Sequence, residues 1–249
     1  MRLKKSLGQH FLRDKGVIRR IVDSMEISPA DRVVEIGPGG GALTEEILKR
    51  NPGELYLIEV DRDWVDYLKE RFGDRVKIFN ADATTFDFSS LGEGLKFFGN
   101  LPYNVSTRII RNLLSHRRAF KEGVFMVQDE VAERLRATSG KDYGYLPALL
   151  HNFFKVKKLF KVPPGAFTPP PKVMSAVFKM ESKRFDISEE ELLELERFLK
   201  RAFSMRRKKL KKNLGLKELP HQFAHLGDKR AEEIPPEELY ALFKAVSRR

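Results

Sequence analysis

Short apolar runs alternate with helical patterns along the first part of the chain. The run RVVEI at 32–36 is followed by a glycine cluster and by ALTEEILKR, and this order of run and helix then recurs. Nearly continuous apolar strands that alternate with helices are typical of a parallel sheet covered on both faces. The pattern predicts an α/β fold, with strands at 32–36, 55–60, 76–80, 95–100 and 123–128 and helices at 14–26, 62–72, 105–116 and directly after 128.

The pattern changes near Ser182. VMSAVFKM at 173–180 alternates enough to be a late strand, which we expect to be antiparallel and at an edge of the sheet. Ser188 followed by Glu191 resembles a capping box that opens a helix, and a pair of prolines later precedes the helical pattern EELYALFKAV. We therefore predict an α/β domain at 1–181 and a small helical domain at 182–249.

Composition excludes several kinds of protein and site. Of the 249 residues 41% are hydrophobic, which is enough for a sizeable core, yet no apolar run approaches the roughly 18 residues that cross a bilayer. The start of the chain lacks the apolar region of a signal peptide, so we expect a cytoplasmic protein. Without Cys there are no disulfides or zinc–thiolate sites. His221 and His225 have helical spacing but no nearby carboxylate motif, so we expect surface histidines and no metal.

The basic residues are concentrated in two segments. The net charge is +12, and residues 200–217 hold nine Lys or Arg and no acid. Residues 1–20 hold seven basic residues against one acid, Asp14. Two such segments favour a nucleic-acid partner over the simpler explanation of a solvated helix face. Lipid headgroups are the alternative polyanion.

A glycine cluster follows the first predicted strand. In EIGPGGG, Gly37 and Gly39 with Ala42 satisfy the pattern G-x-G-x-x-G/A, in which the backbone turns sharply and approaches a ligand closely. A tight turn with no ligand is the structural alternative. Glu59 ends the second strand, where a carboxylate can accept hydrogen bonds from ribose hydroxyls of either NAD or S-adenosylmethionine.

Acidic side chains mark further strand ends. Asp82 follows the third strand and could orient an adenine amino group, although an Asx turn or a helix cap is the simpler explanation. With Glu35, Gly37 and Glu59 it marks successive strand ends on one edge of the sheet, where ligands bind in open α/β folds.

The fourth strand ends in FGNLPY. An exocyclic adenine amine is a poor nucleophile because its lone pair is delocalised into the ring. The side-chain oxygen of Asn100 and the backbone oxygen of Leu101 are two acceptors that could draw this amine toward tetrahedral geometry. Pro102 restricts the residue before it, and Tyr103 offers a flat face for the base. The tetrapeptide therefore indicates methyl transfer to an amine, by positioning and electrostatics.

Seven motifs, taken together, resemble one family over nearly the whole chain. This sequence resembles the KsgA-type ribosomal RNA adenine dimethyltransferases, and more closely than the related Erm methyltransferases. The motifs are KKSLGQHFLRD (4–14), VVEIGPGGGALTEEI (33–47), LIEVDRD (57–63), NADATTFD (80–87), FGNLPYNVST (98–107), VPPGAFTPPPKVMSAV (162–177) and FSMRRKKLKKNL (203–214).

The resemblance implies a Rossmann-like methyltransferase domain at 1–181, with S-adenosylmethionine as cofactor and S-adenosylhomocysteine as product, and a helical, RNA-binding domain at 182–249. It implies dimethylation at N6 of two adjacent adenosines in a hairpin near the 3′ end of small-subunit (16S) ribosomal RNA. It also implies a late role in assembly of the 30S subunit, with that subunit or its precursor as partner. We expect a monomer.

Site residues follow from the same resemblance. His10 stands where family members usually have Asn, and Phe167 either sandwiches the adenine against Tyr103 or belongs to the core. The expected cofactor contacts are His10, Leu12, Gly37, Glu59, Asp82 and Asn100. The expected catalytic group is Asn100, Leu101, Pro102, Tyr103 and Phe167. A basic helix is expected to bind phosphates through Arg206, Arg207, Lys208, Lys209, Lys211 and Lys212.

Three other functions remain open on the sequence. The protein could act mainly as an assembly factor for the small subunit, or as a DNA-binding member of the same fold. The glycine cluster alone would also suit a nicotinamide-dependent oxidoreductase, which a test of thermal stabilisation by NADH or S-adenosylmethionine distinguishes.

Overall fold

The computed structural model describes residues 9–247. The strands are β1 (Phe11–Leu12), β2 (Arg32–Ile36), β3 (Glu54–Glu59), β4 (Lys77–Asn80), β5 (Leu95–Asn100), β6 (Phe120–Gln128), β7 (Phe154–Val162), β8 (Phe167–Thr168) and β9 (Ser175–Ser182). The α-helices are α1 (Lys15–Asp23), α2 (Ala42–Leu48), α3 (Arg62–Phe72), α4 (Ser106–Ser115), α5 (Asp129–Arg136), α6 (Tyr145–Leu150), α7 (Glu189–Ala202), α8 (Leu210–Asn213) and α9 (Pro236–Ser247).

Seven of these strands form one sheet, in the order β4-β3-β2-β5-β6-β9-β7. The first five strands of that order pair in parallel, which confirms the predicted α/β fold. From β2 the chain builds outward to β3 and β4, and it then returns to place β5 on the other side of β2. The point where the strand order reverses lies between β2 and β5, and ligands bind at such points in open α/β sheets.

The late strand is antiparallel as predicted, but its predicted place at the edge is wrong. β9 pairs with β6 and lies between β6 and β7, and β7 takes the last position in the sheet. The sequence of β7, FKVKKLFKV, has four lysines that interrupt both an apolar run and a strict alternation. Lysines are characteristic of edge strands, where they discourage pairing with another chain.

Apolar side chains cover both faces of the sheet. Val33, Leu57 and Phe98 are fully buried in one cluster, which also contains the apolar faces of α1, α2 and α3. On β5 and β6, Phe97 and Phe125 are buried among other aromatic rings, including Phe88, Phe120 and Phe178. Since neighbouring residues of a strand point to opposite faces, strands buried on both sides read as continuous apolar runs.

The chain divides into two compact units. One comprises the described residues up to Ala132 together with Lys157–Ser182, and the other comprises Glu133–Val156 with the residues from Lys183 onward. The sequence placed a single boundary after residue 181, whereas in the structure the segment Glu133–Val156 groups with the C-terminal helices because α6 packs against α7 and α9. In that second unit Ser188 caps α7, accepting a hydrogen bond of 3.1 Å from the main-chain nitrogen of Glu191.

Two further observations concern the described residues alone. Within 9–247 no helix has both the length and the apolar character that a bilayer crossing requires. Within the same residues no group of three or more His, Asp or Glu side chains is arranged to hold a metal ion.

Candidate active site

A large cavity lies at the carboxyl ends of β2, β3 and β5, next to the reversal of strand order. Its volume is about 1200 Å³, larger than the roughly 300–1000 Å³ of a typical small-molecule pocket. Among the predicted site residues, those that line it are His10, Leu12, Gly37, Glu59, Asp82, Asn100, Leu101, Pro102 and Tyr103. The structure thus brings together the N-terminal segment, the glycine cluster and the Asn-Leu-Pro-Tyr corner, and it leaves space for more than one ligand.

The glycine cluster turns the chain from β2 into α2 along the cavity wall. Gly37 and Gly39 have φ angles of 65° and 52°, a region that residues with a Cβ rarely adopt. A Cβ on Gly39 would lie 2.6 Å from the ring of Phe11, so glycine is required there for space as well. The main-chain nitrogen of Gly39 donates a hydrogen bond of 3.1 Å to Oε2 of Glu59.

Glu59 is held as an acceptor beside this cluster. Its Oε1 accepts a second hydrogen bond, of 3.0 Å, from the main-chain nitrogen of Asp61. Burial raises the pKa of the Glu59 carboxyl, while these amide donors oppose the increase. Each carboxylate oxygen has two lone-pair directions, so Glu59 keeps acceptor capacity for ribose hydroxyls.

Glu35 is buried more deeply than Glu59 and has a different partner. The hydroxyl of Thr44, on α2, donates a hydrogen bond to Oε1 of Glu35. Burial raises the pKa of Glu35 to about 8, a shift that the Thr44 hydrogen bond opposes and the charge of Glu59 increases. The partner Thr44 was not predicted, although its position in the first turn of a helix after a glycine cluster is compatible with such a contact.

Asp82 forms a turn with one carboxylate oxygen and, within residues 9–247, leaves the other unbonded. Its Oδ1 accepts hydrogen bonds from the nitrogen and the hydroxyl of Thr84, at 2.8 and 2.7 Å, which makes it the expected Asx turn. These bonds lower the pKa of the Asp82 carboxyl. Its Oδ2 accepts no hydrogen bond from the described residues, and Asp82 lines the cavity, so an acceptor is available to a ligand.

Asn100 ends β5 with its side chain in a defined orientation. Its Nδ2 donates a hydrogen bond of 3.0 Å to the main-chain oxygen of His10. Because the two ends of a carboxamide point apart, Oδ1 is directed away from that carbonyl. The next residue, Leu101, is anchored by its nitrogen, which donates 3.0 Å to the oxygen of Met126, and by its buried side chain.

The ring of Tyr103 is held at both its face and its hydroxyl. The ring stacks on that of His10, with centroids 5.2 Å apart and planes inclined by 27°. The hydroxyl shares a hydrogen bond with Oγ of Ser175, and burial raises the pKa of Tyr103. His10 is itself fixed, since its Nδ1 lies 3.0 Å from the oxygen of Pro169.

Phe167 is not brought to Tyr103. It is 3% exposed, pairs with Leu12 in a two-stranded sheet of β1 and β8, and belongs to the apolar core. It does not line the cavity, and among the described rings it has no contact with Tyr103. Of the two placements expected for Phe167, the structure therefore has the one in the core. The ring that lies against Tyr103 is that of His10.

An aromatic wall of the cavity was not predicted. Phe11 lies 5.1 Å from Trp64, and Trp64 lies 5.6 Å from Tyr67, measured between ring centroids. Val60 and Tyr67 are 52% and 40% exposed despite their apolar character. The signal in the sequence is the helical spacing of Trp64 and Tyr67 in the helix that follows Glu59.

The prediction of one basic helix through Arg206 to Lys212 is wrong, because most of this segment of the second unit is not helical. α7 ends at Ala202 and α8 spans only Leu210–Asn213, with turns between them. The side-chain nitrogen of Asn213 donates to the oxygens of Ala202 and Met205, at 2.8 and 3.0 Å, and these bonds hold the intervening chain in a turn rather than a helix.

The six basic residues predicted to bind RNA differ in their surroundings. Arg206 donates to the oxygens of Lys141 and Tyr143, at 2.5 and 2.6 Å, and so ties two segments of its own unit together. Lys209 and Lys211 both pair with Asp228, at 2.9 and 3.3 Å. The remaining residues are exposed and have no ion pair with the described residues; they are Arg207, Lys208 and Lys212.

Comparisons with known proteins identify the family of the chain. The family model described as ribosomal RNA adenine dimethylase matches residues 1–247. The ribosomal RNA small subunit methyltransferase A of Marinobacter nauticus is 44% identical over 230 residues, which is 90% of this chain and 83% of that protein. The protein of the same name from a Sulfurihydrogenibium species is 40% identical over 249 residues, covering 98% of this chain and 96% of that protein.

Solved structures share the fold over nearly the whole chain. A dimethyladenosine transferase from Plasmodium falciparum superposes with a TM-score of 0.82 at 25% identity, covering 96% of this chain and 98% of that one. The 23S rRNA methyltransferase ErmE superposes with a TM-score of 0.76 at 24% identity, covering 95% and 99%, and this second likeness supports the fold alone.

Proposed function

The chain belongs to the ribosomal RNA adenine dimethylase family, and from this premise we propose that it dimethylates N6 of two adjacent adenosines in the 3′-terminal hairpin of small-subunit (16S) ribosomal RNA. We propose S-adenosylmethionine as the cofactor and the 30S subunit or its precursor as the partner. The activity then belongs to late assembly of that subunit, in the cytoplasm, and is carried out by a monomer.

The residues present fit an adenosine cofactor. Gly37 and Gly39 turn the backbone along the cavity wall at positive φ, and Glu59 and Asp82 have acceptor capacity toward the cavity. Glu59 would accept from ribose hydroxyls and Asp82 from the adenine amine, with His10 and Leu12 on the adjoining wall. When bound, the cofactor supplies a methyl group on a sulfonium sulfur.

The observation that carries the proposal is the orientation of Asn100. Its Nδ2 donates to the carbonyl of His10, so Oδ1 is the end available to a substrate amine at the cavity. A neutral acceptor suffices, because the amine proton becomes acidic only once the methyl group has been transferred. The backbone oxygen of Leu101 would be the second acceptor, and Pro102, which has no N–H, limits the conformations of that peptide.

Tyr103 would provide the stacking surface for the target base. A base inside a helix cannot reach a cavity, so it must flip out or come from a loop, and stacking on an aromatic ring contributes about 1–3 kcal/mol per base. The Ser175 hydrogen bond and the His10 stack hold this surface in one orientation. The cavity volume of about 1200 Å³ also admits the bulk of a monomethylated amine in the second round of transfer.

The second unit would contribute phosphate contacts. Arg207, Lys208 and Lys212 are exposed, and their ammonium or guanidinium groups are available to an RNA backbone. Binding that neutralises phosphates weakens steeply as salt rises. We assign Arg206 mainly to the support of its own unit, because it donates to two main-chain oxygens and pairs with Glu232 at 3.6 Å.

The test is methylation of unmodified small ribosomal subunits. The protein is incubated with S-adenosylmethionine and these subunits, the ribosomal RNA is digested, and the adenosine species are quantified by mass spectrometry. We expect dimethyladenosine with the native protein and far less in the same time with Asn100→Ala. Binding of the native protein to the subunit with every adenosine left unmodified would reject the enzymatic proposal and favour an assembly factor.

A further inference from the structure

We propose that Arg13, Lys15 and Arg19 form a cationic rim that binds the RNA phosphates flanking the target adenosine. This inference rests on the proposed function, since it assumes that an adenosine enters the cavity. It adds an RNA contact surface in the first unit to the basic residues of the second unit.

The cationic rim lies on the same cavity as Asn100 and Tyr103. Lys15 and Arg19 are four residues apart on α1, so their side chains lie on one face of the helix, about 6 Å apart along its axis. Arg13 directly precedes the N-cap of α1, and all three side chains belong to exposed residues.

α1 holds these cations on a rigid support. Its apolar face, with Ile18, Ile21 and Val22, is buried in the core cluster. Asp14 caps its start by accepting 3.0 Å from the nitrogen of Val17, and the nitrogen of Arg13 donates 2.8 Å to the oxygen of Ala166. The positions from which the three charged side chains extend are therefore fixed relative to the cavity.

The acidic residues of α2 that line the same cavity are paired with other cations, whereas the three rim residues are not. Glu46 pairs with Lys49 and Arg50, at 3.4 and 3.2 Å, and Glu45 pairs with Arg71 at 2.7 Å. Within residues 9–247, the three rim residues have no ion pair. Three exposed cations beside one carboxylate, that of Asp14, leave a net positive charge on one side of the cavity. Such a charge attracts a polyanion, and the effect is largest at low salt.

The geometry favours RNA phosphates over the carboxylate of the cofactor. An amino-acid carboxylate offers one negative charge, whereas the rim has three exposed cations. A base that enters a pocket leaves its phosphates outside, at the mouth, where exposed cations can reach them. Arg and Lys are the residues that bind phosphate oxygens most often.

The experiment compares two triple variants of equal charge. The rim variant is Arg13→Gln, Lys15→Gln and Arg19→Gln. The control variant is Arg62→Gln, Lys69→Gln and Lys121→Gln, three exposed cations outside the cavity lining that have no ion pair with the described residues. Binding of an unmethylated RNA hairpin with two adjacent loop adenosines is measured from 50 to 300 mM salt. S-adenosylmethionine affinity and the melting temperature are measured beside it.

We expect the rim variant to lose at least tenfold in RNA affinity at low salt. The slope of log affinity against log salt concentration should become shallower by about 2, since each single-strand phosphate contact contributes roughly 0.7. The control variant should keep nearly the native slope, and all three proteins should bind the cofactor alike. Equal slopes for the two variants would overturn the proposal. A loss of cofactor affinity with the native RNA slope would also overturn it, assigning the cations to the cofactor carboxylate. If the rim substitutions change the slope but the native protein forms no dimethyladenosine, the RNA contact of the cationic rim is supported and only the proposed function is rejected.

Discussion

The side-chain amide of Asn100 donates a hydrogen bond to the main-chain carbonyl of His10, ninety residues earlier in the chain. The contact joins the N-terminal segment to the corner that ends β5. Since the acceptor is a backbone atom, any residue at position 10 could supply it, and the orientation of Asn100 does not depend on the imidazole. The ring of His10 has a separate role, against Tyr103.

Replacing His10 should separate these two roles. His10→Ala keeps the carbonyl but removes the stack, and a stacked aromatic pair contributes about 0.5–1.5 kcal/mol. We expect methyl transfer under single-turnover conditions to slow by roughly 2- to 10-fold. His10→Phe should restore most of the rate, because it keeps a ring against Tyr103. A native rate for His10→Ala would show that the stack does not position Tyr103.

Tyr103 should act through its ring more than its hydroxyl. Tyr103→Phe loses the hydrogen bond to Ser175 but keeps the stacking surface, and we expect a loss of a few-fold in kcat/KM for the RNA substrate. Tyr103→Ala removes a stacking contribution of about 1–3 kcal/mol, which predicts a loss of roughly 5- to 150-fold. If both variants lost activity equally, the hydroxyl rather than the ring would be the important group.

Gly39 should be intolerant of a side chain for a reason beyond its backbone conformation. Gly39 and Gly73 have nearly equal positive φ angles, 52° and 55°. A Cβ at Gly39 would meet the Phe11 ring at 2.6 Å, whereas a Cβ at Gly73 would meet nothing within 4 Å. Gly39→Ala should therefore abolish most of the melting-temperature increase given by S-adenosylmethionine, and Gly73→Ala should keep it. Equal increases in the two variants would contradict the steric argument.

Glu35 should make stability depend on pH. Burial raises its pKa from the ordinary 4.5 to about 8, so the folded state binds more protons than the unfolded state between those values. The stability that the protonated Glu35 carboxyl contributes is complete below about pH 4.5 and is lost as the pH rises through 8. Glu35→Gln can still accept the Thr44 hydrogen bond but does not titrate. The melting temperature of this variant, relative to the native protein, should increase from pH 5 to pH 9; a constant difference would contradict the raised pKa.

Periodicity predicted the first five strands of the main sheet well because each is a continuous apolar run bounded by turn residues. It missed β7, whose Lys157 and Lys158 break both strand patterns, and so it misplaced β9. Periodicity could not show that Glu133–Val156 groups with the C-terminal helices, because that grouping depends on the packing of α6 against helices distant in sequence. The helix expected through Arg206 failed for a similar reason, since side-chain hydrogen bonds from Asn213 decide the turn.

At the cavity, motifs predicted which strand ends come together, because parallel strands place their carboxyl ends on one edge. They could not predict which ring lies against Tyr103. His10 and Phe167 are distant in sequence from Tyr103, and only the pairing of β1 with β8 buries the second and leaves the first beside it. The aromatic wall of Phe11 and Trp64 likewise arises from a contact between separate segments.

The most direct measurement is the single-turnover rate of methyl transfer to unmethylated small ribosomal subunits, for the native protein and for Asn100→Ala, with S-adenosylmethionine affinity measured in parallel. Loss of one preorganised polar group at a reacting centre typically slows reaction by about 10²–10³-fold. We predict a decrease of that size in the rate, with cofactor affinity reduced by less than tenfold. A native rate for Asn100→Ala, or no methyl transfer by the native protein, would contradict the account.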